Sequence, residues 1–437
     1  MIEAIMVKHL HFTGDKYALN PIELGAVGDG ISDDSAPIQA LVDHLSRERG
    51  GKLSLPPRKF RLASPVRIYT KSISIDGGAN GFGNSPNAEH ESLTGSEISS
   101  ESNAFEIGND DPGDIARGCH KLGAINFQDI YLWGPGVYTG KKAFYFEKDT
   151  DQSQFNNIHI GNFQWGLYSD TVLDNPNFFG LDITHCFQGI HLSAKSLAAY
   201  VKFHHCTIAD NDGTGIFIHP ASNSFCCQLT HCVIVRNART EVQDGCNVYW
   251  GAREGIIANN IIHAAGYHFY NEAVLGNKQN RVPANGIIVE GSDNLITGNQ
   301  ILDHTMGSGI VIKGCNNKAI HNLFTGRVGS SRGEGSGSAP VCKNRIDIDI
   351  KPGVCDTTII QQGQFTINDE GIRTIVNGIS KNQGDPDHEG DWKGVIKSDG
   401  LVIYDSLKEI TYLYGHIFPN GRINISTNPA SHSALER

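Results

Sequence analysis

The chain has 437 residues with 50 glycines, a hydrophobic fraction of 39% and a formal net charge of −11 at pH 7. An acidic balance argues against a nucleic-acid binder, which would carry a basic patch or stripe, and no stretch is apolar for long enough to span a bilayer. The start, Met1 to His9, lacks a basic region followed by an apolar run, so no signal peptide is read there. Free cysteines and the missing leader together lead to an expectation of residence inside the cell, of a leader outside this sequence, or of export by another route.

Residues 1–50 differ from everything that follows. Leu24 to Val42 runs from a Gly-rich turn into an expected helix, with Asp34 or Ser35 as its cap and Ile38, Leu41, Val42 and Leu45 on one apolar face. Such a helix would cover the end of a solenoid, where core and unpaired strand edges are otherwise open.

Further along, a His-Cys pair recurs in Ile183-Thr184-His185-Cys186, Phe203-His204-His205-Cys206 and Leu229-Thr230-His231-Cys232, and the same slot is then filled by Asn260, Asn299 and Asn322. A slot that takes Cys or Asn once per repeat is a ladder position, with one coil per step and loops of variable length between. Short strands follow, usually opening with Gly-Ile: Gly189-Ile190, Gly215-Ile216, Gly286-Ile287 and Gly309-Ile310. Their alternation has period two and no helical period intervenes, which describes a parallel β-helix. One elongated all-β domain is expected, with a helical cap over 1–50, the β-helix over 51–365 and a strand and loop cap over 366–437. Within 366–437, Val376–Ile379 and the stretch through Trp392 read as loop, and Gly400–Tyr404 and Ile410–Tyr414 as strands.

The ten cysteines invite a disulfide or zinc interpretation. Ladder residues stack in the interior, however, and adjacent His and Cys in extended structure point to opposite sides. Buried free thiols are therefore expected, with no metal and no cofactor.

The stretch Gly25-Ala26-Val27-Gly28-Asp29-Gly30-Ile31-Ser32-Asp33-Asp34-Ser35, followed by Gly50-Gly51-Lys52-Leu53-Ser54-Leu55-Pro56-Pro57, resembles the opening of the pectate-lyase-like β-helix superfamily. That resemblance implies a single-stranded right-handed β-helix. Its members include polysaccharide lyases, glycoside hydrolases, uronate epimerases and phage tailspike depolymerases, and the motif carries no catalytic residue, so function must be argued from the site. Leu55–Leu62 and Gly77–Gly83 bear a lesser resemblance to the inulin fructotransferases, trimeric β-helices that release cyclic difructose.

Chemistry follows from side chains that share an outer face. The first outward column on the Gly-Ile strands is Tyr168, His191, Phe217, Tyr249, Ile288 and Val311, and the second is Asp170, Ser193, His219, Glu290 and Lys313, with Asp347 and Asp349. Coils about 4.8 Å apart bring these groups within reach of one another. Aromatic faces beside titratable groups suit a saccharide cleft. Asp212 and Asp244 precede successive strands in Asp-Gly turns, as a carboxylate pair or as plain turn residues. A long insertion after His263 brings His268, Tyr270, Glu272 and Arg281, as a binding loop or a subunit contact in a trimer.

Two enzyme mechanisms compete at this stage. In hydrolysis or transfer, two of Asp212, Asp244, Glu272 and Glu290 act as acid and as base or nucleophile, without a metal. In uronate elimination or epimerisation, Lys313, Arg253 or Arg281 neutralises the carboxylate while His219, His268 or Tyr249 moves the proton. The acidic balance favours the first by a small margin. A third alternative is a trimeric fibre that binds glycan without cutting it. Gly329–Ser338 reads as a mobile lip, and Asp385, Asp387 and His388 as a solvated turn rather than a metal site.

Overall fold

The structure is a computed structural model that describes residues 18–48, 50–78, 95–108, 122–240, 244–266, 282–304, 307–324, 344–372, 374–380, 414–417 and 423–426. Within them the chain winds as a parallel β-helix. One coil comprises Asn177–Phe179, Asp182–Thr184, Gln188–Leu192 and Leu197–Ala199, after which Lys202–His204 pairs in parallel with Asn177–Phe179. The Gly-Ile strands form one eleven-stranded parallel sheet.

Inward columns stack like with like. Phe127, Phe155, Phe178 and Phe203 lie in register with ring centroids 5.4, 4.9 and 5.1 Å apart, and Leu229, Ile257 and Ile296 continue the column. Aromatic pairs of this kind contribute about 0.5–1.5 kcal/mol beyond their buried area.

Between strands the chain turns through one residue in the left-handed region, followed by one that points inward. Asn260 shows what the inward position does: it accepts from the Cys232 amide at 2.8 Å and donates to Leu229 O and Asn299 Oδ1, both at 2.9 Å. An amide bridges coils above and below, so each bend's buried backbone groups are satisfied. Cys206 and Cys232 occupy the start of this ladder, joined by a bond from the Cys206 amide to Cys232 Sγ.

Cys186 does not belong to that ladder. Ile183 pairs with Ile208, so Cys186 heads a second ladder at the next bend, where its amide donates to Asn211 Oδ1 at 2.8 Å and Asn211 continues to Asn237 and Asn247. His185 and His205 have φ of 56° and 53°: the two bends share one local geometry, so one local sequence pattern fits both. The thiols of Cys186, Cys206 and Cys232 are free and buried, and burial pushes that of Cys186 up to about 12.

The glycine that opens each Gly-Ile strand is explained by the second ladder. A Cβ on Gly215 would lie 2.7 Å from Asn237 Nδ2 and 2.7 Å from Asn247 O, closer than packing permits.

The cap helix spans Ser35–Arg47 and buries Ile38, Leu41, Val42 and Leu45 against the first coil. Asp34 sits at its N-cap without capping it. Its carboxylate instead accepts from the amides of Val27, Gly28 and Arg61, while Asp33 binds the amides of Ser35 and Ala63, and Asp29 those of Ile31 and Ser32. The acids of the Gly-Asp-Gly motif thus tie the entry turn to the first strands.

At the other end parallel pairing continues past residue 365. Val376, read from sequence as loop, lies in strand Ile375–Ser380 paired with Thr358–Phe365, because register with the preceding coil outweighs the weak local pattern of Asn377-Gly378. Tyr414–Ile417 and Ile423–Ser426 form an antiparallel hairpin. Gly329–Ser338, Asp385–His388 and Gly400–Tyr404 lie outside the described residues.

Candidate functional site

Register places Tyr145, Tyr168, His191, Phe217, Tyr249, Ile288, Val311 and Asp349 in one outward column of the eleven-stranded sheet. Tyr168, His191 and Phe217 stack at 5.1 Å centroid spacing, and Tyr249 follows at 4.9 Å. The column changes character along its length: the first three are half-buried, whereas Tyr249, Ile288 and Val311 are buried and pack with Cys246. Aromatic faces remain open up to Phe217, where a groove of about 310 Å³ is lined by Gln188, Thr214, Phe217, His219, Pro220, Asp244 and Tyr249.

Around Tyr249 the charged groups converge. Its hydroxyl donates to Glu290 Oε2, Lys313 Nζ lies 5.5 Å from its ring centroid, and the same ammonium is 3.3 Å from Asp244 Oδ2. Burial, then the Glu290 hydrogen bond and the nearby Asp244, push the Tyr249 phenol up. It therefore stays protonated and holds Glu290 as an acceptor. His219 starts a short turn, Pro220–Ser222, and its Nδ1 accepts from the Ala221 amide at 3.0 Å. The proton of the neutral ring is thereby on Nε2, a donor available to the groove.

Several participants have no motif to announce them. Lys142 places its ammonium 4.7, 5.1 and 5.0 Å from the ring centroids of Tyr145, Trp165 and Tyr168. Gln188 Oε1 accepts from Trp165 Nε1 at 3.1 Å and faces His191 Nδ1 at 2.7 Å. Indole only donates, so Gln188 presents oxygen, His191 carries its proton on Nδ1, and its Nε2 is the acceptor. Burial pushes the His191 imidazole down to about 4, leaving it neutral at pH 7. Tyr168 donates to Asp170 at 3.0 Å. Only the pairing of Lys142 with Trp165, and of Trp165 with Gln188, would have exposed this cluster to sequence reading.

Other expected residues lie elsewhere. Asp212 does not join Asp244: its carboxylate pairs with Arg239 at 2.8 Å and accepts from Tyr138 at 3.1 Å, whereas Asp244 turns to Lys313. The two carboxylates hold different partners because Arg239 sits at the bend of the coil above Asp212. Asp349 aligns with Val311 in the first outward column, not the second, and Asp347 is buried and binds Thr366 and Asn344. Arg253 sits at another bend, 3.7 Å from Glu254. His268, Tyr270, Glu272 and Arg281 lie outside the described residues. Among the described residues no group of three or more His, Cys, Asp or Glu side chains is arranged to hold a metal ion, and no helix is long and apolar enough to cross a membrane.

A family model described as "Right handed beta helix region" matches residues 134–262, which agrees with the winding seen here: the protein is an all-β, right-handed parallel β-helix. Solved structures share the architecture. The DFA-IIIase from Arthrobacter chlorophenolicus A6 without its lid is 14% identical, with 85% of this chain and 96% of that chain covered and a TM-score of 0.57. The same enzyme in complex with GF2 is 13% identical, over 79% and 95%, at 0.56. Geobacillus virus E2 ORF18 is 14% identical at 0.46, and this chain spans 62% of its length. No curated protein sequence matches the chain. At 13–14% identity the likeness to the DFA-IIIase structures is one of fold.

Proposed function

We propose that the protein is a carbohydrate-active enzyme that breaks glycosidic bonds of a neutral oligo- or polysaccharide lying along the eleven-stranded sheet, by hydrolysis or transfer. The observation that carries this reading is the aromatic column that ends in a groove where Tyr249 is flanked by Glu290 and by Asp244 with Lys313. Sugar rings stack on Tyr168, His191 and Phe217, which supplies binding energy away from the reacting bond. Glu290, which accepts from the Tyr249 hydroxyl, acts as base or nucleophile, and Asp244 is the second carboxylate of the pair. His219 Nε2–H hydrogen-bonds the departing oxygen and stabilises the charge developing there, while Asp244, as the acid of the pair, supplies the proton that oxygen takes up.

A neutral substrate is favoured over a uronate because the cations along the column are already engaged. Lys313 is paired with Asp244, and Lys142 is committed to aromatic faces. The DFA-IIIase of the same fold, solved with GF2, and the sequence resemblance to fructotransferases make fructans the first substrates to try. A trimer remains the proposed assembly on the same resemblance.

The test is a panel of neutral fructans, neutral glucans, polyuronates and glycosaminoglycans, read by new reducing ends or cyclic products and by absorbance near 235 nm. Reducing ends or anhydrides from a neutral glycan, abolished in Glu290→Gln, are expected. Absorbance growth from a polyuronate would replace this mechanism with elimination, and binding without product would leave a glycan-binding fibre.

A further inference from the structure

The coils that carry Tyr168 and His191 on one face form a second concavity on another. Where the four-stranded sheet bends into Gln154–Gly161, Asn177–Phe179 and Lys202–His204, a cleft of about 470 Å³ is lined by Gln152, Gln154, Asn175, Asn177, Lys202 and His204. This volume lies within the range of small-molecule pockets, about 300–1,000 Å³.

Its construction is regular. Gln154, Asn177 and Lys202 are in register as one outward column, and Gln152 and Asn175 occupy the left-handed bends beside it, with φ of 45° and 56°. Lys202 Nζ donates to Asn175 Oδ1 at 2.6 Å, and His204 Nδ1 lies 2.5 Å from Thr230 Oγ1. Asn177 Oδ1 is buried without a hydrogen-bond partner among the described residues. Two aromatic rings stand alongside: Phe179, in register with His204 and 42% exposed, and Tyr200 at the next bend, 50% exposed.

We propose that this cleft is a second saccharide site, which holds a neutral sugar unit of the polymer on which the groove acts. The idea rests on the function proposed above for its choice of ligand. Side-chain amides present donor and acceptor on one planar head and so match vicinal hydroxyls that each do both; the exposed rings offer apolar faces to the sugar's C–H groups. Lys202, with one N–H given to Asn175, keeps further donors for sugar hydroxyls. No carboxylate lines it among the described residues, so it binds without cleaving.

The test uses the full chain carrying Glu290→Gln, run in native gels containing a soluble neutral fructan or a neutral glucan. Adding Gln154→Ala with Lys202→Ala is expected to weaken retention by about fivefold to tenfold, roughly 1–1.4 kcal/mol. In a chain with Glu290 intact, the same two substitutions leave turnover of a short oligosaccharide unchanged. Retention that drops in Phe217→Ala but not in the cleft variant overturns the second site and leaves the groove standing. Retention that depends on the cleft, with no glycan turned over, supports the second site and removes the enzyme reading. No retention of any neutral glycan overturns both.

Discussion

At the scale of single residues, the groove turns on Glu290 and Asp244. Glu290→Gln keeps a partner for the Tyr249 hydroxyl but removes the charge, and is expected to lower kcat by about 10²–10⁴-fold with KM little changed; Asp244→Asn should do the same to a lesser extent. Equal turnover in the Glu290 variant would take this residue out of the chemistry. Asp212→Asn is the control: its carboxylate pairs with Arg239 rather than facing the groove, so stability should fall while kcat holds. A second residue-scale prediction concerns acid. His304 is fully buried, between Asn344 Oδ1 at 2.9 Å and Asn247 Nδ2 at 3.4 Å, and burial pushes its imidazole down to about 3. The unfolded chain binds that proton near 6.5, so between pH 6.5 and 3 the unfolded state holds more protons and stability falls as pH falls. His191, held down to about 4, acts in the same direction. Melting temperatures measured from pH 7 to 4 should decline less steeply in His304→Gln than in the parent; parallel slopes would rule out this histidine as a source of acid sensitivity.

At the scale of elements, the bends matter more than the strands. Asn299 accepts from the Asn260 amide at 3.0 Å and donates to Ile257 O and Asn322 Oδ1, both at 2.9 Å. Removing the amide leaves buried groups on adjacent coils unpaired. Asn299→Ala should therefore cost about 2–4 kcal/mol in denaturant unfolding, more than the loss of a single bond. Conversion to Asp should not rescue it, since the lost donor is half of the function. That this residue recurs once per coil is plain in the sequence. Which of two ladders a given copy joins is not, as Cys186 demonstrates: identical left-handed bends accept the same local pattern, and only strand pairing tells them apart.

For the molecule as a whole, coils exchange contacts mainly with their neighbours, so the ends decide stability. Leu41 is fully buried in the cap helix. Leu41→Ala should lose about 2–5 kcal/mol by opening a cavity over the first coil, seen as a lower denaturation midpoint. If the midpoint did not move, the helix would not be closing the solenoid. The groove is also a whole-molecule property: Phe217, Tyr249 with Asp244, Glu290 and Lys313 come from four successive coils and meet only because register stacks them.

The parallel β-helix, its helical cap and the outward aromatic column were legible in the sequence, because period-two alternation, a once-per-coil polar slot and an amphipathic stretch are local patterns with one physical meaning each. Period-two alternation along these strands aligned Tyr168 with His191, Phe217 and Tyr249. Tertiary structure alone decided which polar groups pair: Lys313 with Asp244, Arg239 with Asp212, Glu290 with the Tyr249 hydroxyl. It also decided that Ile288 and Val311 are buried on the outer face, and that amides from two coils and a lysine and histidine from a third gather into one cleft. Loops of unequal length join the coils, so sequence spacing carries no distance between side chains at different bends, and only the stacked backbone brings them together.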